Sequence, residues 1–354
     1  MKQLEFVNMP QPINTAISSF GMSGQVFHAP FLLHNPYFKI KKILERTKNN
    51  SATIIPDAEI VRSYQEILED TEIDLIVVNT PNFLHYEMCK QALLHGKHVV
   101  LEKPFTVTVE EGRGLIELAK EKGLVLSVYH NRRFDSGHKT VKEILDKKLL
   151  GDLKVFEAHF DRFRPEIGPK KWKEAVNPGA GILYDLGSHL IDEALCLFGV
   201  PVSIFADLQI QRKNGEVVDY FDIKLSYNSF TVKLLAGMLM KEPGPKYILH
   251  GNAGSYLKYG NDPQEEQLIK GIFPNSPEYG IENKSNWGIL NNENGRGAYP
   301  TKIGSYQDFY ENIYQVITSG GKLLVSPEQA LDVIFLIEKA ILSSKEKKTI
   351  LCKS

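Results

Sequence analysis

Cysteine is scarce: Cys89, Cys196 and Cys352 are the only three in 354 residues, far apart and with no CxxC pair. That pattern excludes a zinc-type spacing and a disulfide framework. It fits a reducing compartment, with the thiols serving as small apolar filler. The histidines match none of the usual ligand sets, so no metal is expected. An excess of one charge is also missing. Lys and Arg number 42 against 43 Asp and Glu, a formal net charge of -1, so nothing stands ready to neutralise a phosphate backbone and nucleic acid is not an expected partner. No apolar run approaches the ~20 residues of a membrane span. The opening MKQLEFVNMPQPINT places acid and proline where a signal peptide needs an unbroken apolar stretch. The expectation is a cytoplasmic protein with no membrane partner. Internal repeats and low-complexity segments are absent. What remains is ordinary globular composition, 42% hydrophobic and 24% charged, in a chain whose length suits two domains.

The first third alternates strands and helices. Short continuous apolar runs at 13–18, 38–44, 75–78, 98–101 and 124–129 are separated by amphipathic stretches such as 84–95 and 109–122. Continuous apolar runs of this length mark strands buried on both faces. Their alternation with helices predicts a doubly wound parallel sheet, assigned to residues 1–130. Ligands of such sheets sit at the carboxyl ends of the strands. The chemically suggestive clusters fall there: a glycine turn, Thr80-Pro81-Asn82, Glu102-Lys103-Pro104 and His130-Asn131-Arg132.

The glycine turn reads Ser19-Phe20-Gly21-Met22-Ser23-Gly24. A dinucleotide turn wants G-x-G-x-x-G; Ser19 replaces the first glycine, while Gly21 and Gly24 keep the second and third. A Cβ at the second position would hold a pyrophosphate away from the backbone N–H groups. Phe20, Gly21, Met22, Ser23 and Gly24 are therefore cofactor-binding candidates, against the alternative of a plain strand-to-helix turn. After the second strand, Glu45 is placed to accept from ribose hydroxyls, which favours NAD, and Arg46 beside it is placed to fork a 2′-phosphate, which favours NADP. A solvated Glu-Arg pair is the third reading of these two.

Beyond residue 150 the pattern changes to longer, partly alternating runs at 153–163, 202–212, 217–227 and 230–240. Asn214-Gly215 gives a hairpin signal and Asn252-Ala253-Gly254 a second. Residues 131–354 are accordingly expected to form an α+β domain around an open, mostly antiparallel sheet, used for substrate binding and self-association. Residues 261–301, rich in Asn, Gly and Pro, read as irregular cover, and 327–343 as a helix with Ser326 as N-cap and Pro327 at its first position. Within this half, Asp185 and His189 are four apart on a helical stretch and so share a face; a carboxylate there raises the imidazole pKa. An isolated D-x-x-x-H also suits a cap or surface pair.

Val99-Val100-Leu101-Glu102-Lys103-Pro104, Thr80-Pro81-Asn82-x-x-His85, Gly96-Lys97-His98 and Gly181-x-x-x-Asp185-x-Gly187-x-His189-x-x-Asp192 together resemble the glucose–fructose oxidoreductase/inositol dehydrogenase/MocA family. Phe27-His28-Ala29-Pro30, His130-Asn131-Arg132-Arg133-Phe134-Asp135 and His159-Phe160-Asp161-Arg162-Phe163-Arg164-Pro165 resemble its scyllo-inositol dehydrogenase branch. The resemblance spans essentially the whole chain. It implies an NAD(P)-dependent dehydrogenase of a sugar or polyol, with Lys103, Asp185 and His189 as the catalytic set: His189 as general base, Lys103 holding the substrate oxygen, Asp185 orienting the pair. Thr80, Pro81, Asn82, His85, Glu102, Lys103 and Asn131 join the cofactor candidates. Arg132, Asp161, Arg164 and Trp172 join Lys103, Asp185 and His189 as substrate candidates, with Asp192 and Tyr184 as further possibilities. His28 reads as a structural histidine or one facing the cofactor. Glu45 stands where NADP-using members of the branch carry a small residue, which tips the expectation toward NAD. A non-catalytic NAD(P)-binding sensor and an NAD-dependent glycosidase on the same fold are the competing readings. A homodimer or homotetramer is the expected assembly.

Overall fold

The computed structural model describes residues 11–168 and 174–352. Six strands, β1 (Ile13–Ile17), β2 (Phe38–Leu44), β3 (Glu59–Val61), β4 (Leu75–Val78), β5 (His98–Leu101) and β6 (Leu126–Val128), form one parallel sheet in the order β3-β2-β1-β4-β5-β6. The order reverses between β1 and β4, which opens a crevice at their carboxyl ends. Period-2 alternation divides the sheet between two cores. Leu75, Val77 and Val100 face one way, against Phe309, Tyr310 and Ile313 of the helix Gln307–Ser319. Ile76, Val78, Val99 and Leu101 face the other, against Cys89 and Leu93 of His85–Leu94 and Leu115 and Ile116 of Val109–Lys122. The last of these helices has a capping box at Thr108 and Glu111, and stops at Gly123 with φ 64°.

The second sheet holds nine strands: β7 (Leu153–His159), β8 (Ser203–Gln209), β9 (Tyr220–Ser226), β10 (Thr231–Gly237), β11 (Tyr247–Gly251), β12 (Gly254–Lys258), β13 (Ile289–Asn292), β14 (Gly295–Ala298) and β15 (Ile350–Leu351). Their order is β14-β13-β12-β11-β7-β10-β9-β8-β15, antiparallel except for the β7–β10 pair. The sheet is thus mixed and mostly antiparallel. Its inner face, including Phe156, Phe221, Ile223 and Leu234, packs in one core with Leu190, Ile191 and Ala194 of the helix Ser188–Phe198. Asn214, at φ 63°, turns the chain between β8 and β9, and Asn252-Ala253 join β11 to β12.

Three elements depart from the sequence reading. Residues 261–301 are not wholly irregular: they contain the helix Gln264–Ile269 and the hairpin β13–β14. Their polar composition hid them because β14 is exposed throughout and carries no core face. The edge strand β3, only three residues long, has too short a period to read. Helix Pro327–Glu346 forms as expected, with a Ser326–Gln329 capping box, and runs three residues further. It packs on both halves and so joins the two sheets, while Gln307–Ser319 packs on the first. No helix among the described residues is long and apolar enough to cross a membrane.

Candidate functional site

The glycine turn follows β1 and feeds a widened helical segment, Ser23–His28. A Cβ on Gly24 would stand 2.3 Å from the Ser19 carbonyl oxygen, so only glycine fits. At Gly21 a Cβ would meet nothing nearer than 3.9 Å: the space over this residue is open, as the approach of a pyrophosphate requires. A cleft of about 790 Å³ runs from here past Phe20, Glu45, Arg46, Thr80 and Pro81. These five expected residues and Gly21 share one cavity at the switch point of the sheet.

Other cofactor candidates brace the cleft instead of facing it. Ser23 Oγ donates to Glu102 Oε1 at 2.6 Å, and His28 Nε2 lies 3.2 Å from the same oxygen while its Nδ1 lies 2.6 Å from the Tyr310 hydroxyl. Burial alone would raise the Glu102 pKa, but the bond and charge of His28, with Lys103 and Ser23, hold it down to about 2. This ionised carboxylate ties the glycine turn to the end of β5. His85 is buried, its ring nitrogens 2.8 and 3.0 Å from the carbonyl oxygens of Pro104 and Thr80; it fastens two strand-end loops and is not a cofactor contact. Asn82 Nδ2 donates to the Gly179 carbonyl and joins the first half to the second. Met22 projects half-exposed outside the cleft lining. Asn131 is buried in the turn after β6 and makes no side-chain hydrogen bond with the described chain, which leaves it available.

Glu45 is where the adenosine end of the reading changes. Its carboxylate accepts from Asn50 N, Ser51 N and Ser51 Oγ at 2.9, 2.8 and 2.6 Å. Burial opposes ionisation, yet these bonds outweigh it and lower the pKa. The group anchors the short turn Asn50–Thr53 and is only 6% exposed. Arg46 and Lys48 stay exposed in the cleft wall. Arg62, which the sequence reading missed with β3, braces this wall through the carbonyls of Glu45 and Lys48. Its signal was faint: the pair Ile60-Val61 before a lone arginine.

The three expected catalytic residues converge from both halves of the chain. Lys103, just past β5, sends Nζ to the Asp185 carbonyl at 2.8 Å and to Asp185 Oδ1 at 3.0 Å. Asp185 lies in a widened helical turn, Leu183–Gly187, which leads into Ser188–Phe198. The wider turn breaks the four-residue facing of Asp185 and His189, and the carboxylate pairs with the lysine. The expected rise of the imidazole pKa therefore does not occur. Burial, then the positive charges of Lys103, Arg132 and Lys246 and the neighbouring His130 ring, push it well below its ordinary value. His189 is neutral at neutral pH. Its Nδ1 is enclosed without a partner, whereas Nε2 is neither bonded nor enclosed.

Substrate candidates separate in the same way. Arg132 is held by Asp135 and Glu265 at 3.3 and 3.1 Å and lies over the Phe160 ring, 4.9 Å from its centroid. Arg162 and Lys246 also lie over Phe160, at 4.9 and 4.8 Å, and the ring stands 6.3 Å from that of His189. Arg162 has no ion-pair partner among the described residues. Arg164 is exposed, and Asp161 Oδ2 accepts from Gly244 N while Oδ1 is buried without a partner. Asp192 is not a polyol contact: it is buried and forms a two-bond pair with Arg133 at 2.6 and 2.9 Å. Tyr184 is buried too, its hydroxyl donating to the Val107 carbonyl, so its ring does not stack on a ligand. Trp172 lies outside the described residues. The site thus offers a neutral imidazole, an ammonium set against a carboxylate, and an open dinucleotide cleft beside them, which is equipment for moving a proton next to a bound nicotinamide.

Comparison with known proteins agrees with this geometry. Residues 13–130 match the oxidoreductase family's NAD-binding Rossmann fold, and residues 142–351 its C-terminal alpha/beta domain. The chain is 40% identical to scyllo-inositol 2-dehydrogenase (NADP(+)) IolW of Bacillus subtilis, over 96% of each chain. It is 39% identical to the oxidoreductase YdgJ of Escherichia coli, over 97% of this chain and 99% of that one. Among solved structures, the oxidoreductase yvaA of Bacillus subtilis superposes with a TM-score of 0.93 at 39% identity, covering 97% of this chain and 99% of that one. An oxidoreductase from Bacteroides fragilis gives 0.89 at 48% identity, covering 96% and 100%. With both halves matched and the strand-end residues in place, the chain belongs to the Gfo/Idh/MocA family of NAD(P)-binding oxidoreductases.

Proposed function

We propose that this protein is an NADP-linked dehydrogenase that interconverts a ring hydroxyl and a ketone on an inositol-like polyol. The observation that carries the reading is the convergence of Lys103, Asp185 and His189 beside the open Gly21 cleft. The nicotinamide supplies the hydride acceptor when it is bound. His189 takes the hydroxyl proton at Nε2, the ring nitrogen that is not enclosed, and its depressed pKa keeps the lone pair free at neutral pH. The Lys103 ammonium donates to the same oxygen and stabilises alkoxide character. Asp185 holds that ammonium in place.

Two observations move the cofactor from NAD toward NADP. The Glu45 carboxylate is spent on Asn50 and Ser51, whereas Arg46 and Lys48 stand free in the cleft wall, where a 2′-phosphate would meet them. The relative IolW carries NADP(+) in its name. The test is a panel of NAD and NADP, each with scyllo-inositol, myo-inositol, glucose and xylose, read by nicotinamide absorbance. The reading expects the highest kcat/KM for NADP with an inositol. Turnover with NAD alone overturns the cofactor assignment, and none with any polyol overturns the substrate class.

A further inference from the structure

His189 has one ring nitrogen with a role and one without a partner. A base that accepts a proton at Nε2 must carry its own hydrogen on Nδ1. That hydrogen is buried, and no atom of the described chain accepts it. One turn further along the same helix stands Glu193, four residues on and so on the same face. Glu193 is fully buried. Its Oε2 accepts from the Tyr247 hydroxyl at 2.9 Å; Oε1 has no hydrogen-bond partner among the described residues and forms an ion pair with Lys246 Nζ at 3.7 Å, longer than a hydrogen bond. A buried donor without an acceptor thus lies one helical turn from a buried carboxylate oxygen that no donor of the described residues reaches within hydrogen-bond distance. Folded proteins join such atoms by internal water.

We propose that Glu193 is the positioning residue for His189: through one buried water its Oε1 accepts from Nδ1–H, fixing the tautomer that leaves the Nε2 lone pair free. The inference rests on His189 being the base of the proposed reaction. The proton balance is simple. Before the step the imidazole is neutral and Glu193 ionised; afterwards the hydroxyl proton is on Nε2, the imidazole is cationic, and the Nδ1–H···water···carboxylate array is unchanged in its bonds. The groups that face His189 and lower its pKa are Lys103 from the end of β5, Arg132 and His130 from the turn after β6, and Lys246 just before β11; a carboxylate held beside the ring would oppose them. Around Glu193 itself stand Lys246, Tyr247, Arg132, Asp135 and His138. His130 is also buried with both nitrogens unpaired, but a second imidazole adds no negative charge to balance the imidazolium. The motif is therefore His-x-x-x-Glu downstream, where the sequence suggested Asp-x-x-x-His upstream.

The experiment uses the NADPH-loaded enzyme, ¹⁵N-labelled at histidine, with His189→Gln to assign the resonance. Wild type is expected to show Nδ1 protonated and Nε2 bare. Glu193→Gln should mix the tautomers, lower kcat about tenfold with KM little changed, and carry the acid limb of the kcat profile to lower pH, since a negative charge has been removed. A wild-type His189 protonated on Nε2 overturns the proposal, as does a Glu193→Gln enzyme with unchanged tautomer, kcat and acid limb. If that variant does not fold, the wild-type spectrum decides alone. The spectrum also needs no turnover, so a failed polyol panel leaves this test standing.

Discussion

Replacing Asp192 by alanine separates a substrate contact from a structural one. The carboxylate meets the Arg133 guanidinium through two short bonds, and both side chains are almost wholly enclosed, at 2% and 6% exposure. Arg133 also donates to the Leu324 carbonyl and Gln329, so it joins the turn after β6, the helix of His189 and the entry to the last helix. Removing Asp192 leaves a buried cation without its charge partner, which costs about 3–5 kcal/mol. At about 2.1 cal/mol/K per residue, unfolding all 354 residues carries roughly 0.7 kcal/mol/K, so Tm should fall by roughly 4–7 °C. Burial would raise the Asp192 pKa, but the Arg133 and His130 charges lower it. A carboxylate depressed on folding contributes stability above its unfolded pKa, ~3.9, and loses it as pH falls through the folded value. The Tm gap between wild type and variant should therefore hold constant from pH 5 to 8, read by calorimetry. The KM for polyol should stay within about twofold, since the group does not face the cleft. An unchanged Tm with a raised KM would refute the structural assignment.

Two further outcomes follow from the site. Arg46→Ser should lower kcat/KM for NADPH about tenfold, the loss of one exposed charge-assisted phosphate contact, and leave NADH unaffected; equal losses with both cofactors would show that Arg46 does not meet the 2′-phosphate. Because burial and three cationic neighbours, with the His130 ring, depress the His189 pKa below 6.5, the base stays unprotonated down to that lower value. The acid limb of kcat/KM should lie below pH 6.5, and Lys246→Met, which removes one of the cations, should move it upward; a limb at or above 6.5 contradicts the depressed imidazole.

The sheet of the first half was legible because its central strands are buried on both faces: 75–78 and 98–101 appear in the sequence as short apolar runs with the observed bounds, and 38–44 keeps its bounds too although Lys39, Lys41 and Lys42 interrupt it and it is only partly buried. β3 and β14 escaped, one for shortness and the other because it buries nothing. The convergence of Lys103, Asp185 and His189 was legible through the family resemblance, but their pairing was not. Helical spacing alone matched Asp185 with His189; the widened turn at Leu183–Gly187 sent the carboxylate to Lys103. Glu45 shows a related limit. A carboxylate after the second strand suits a ribose, yet the amides that occupy it come from Asn50 and Ser51 in a turn that no periodicity announces. Ser23, Glu102 and His85 sit at the right strand ends and face inward, where they hold the loops that line the cleft.

The most direct test of the account is Lys103→Met, assayed for hydride transfer to NADP with scyllo-inositol beside NADPH binding by fluorescence. The account predicts a fall in turnover of about a hundredfold or more with cofactor binding retained, because the ammonium acts on the substrate oxygen and does not line the dinucleotide cleft. A variant that keeps the wild-type rate contradicts it.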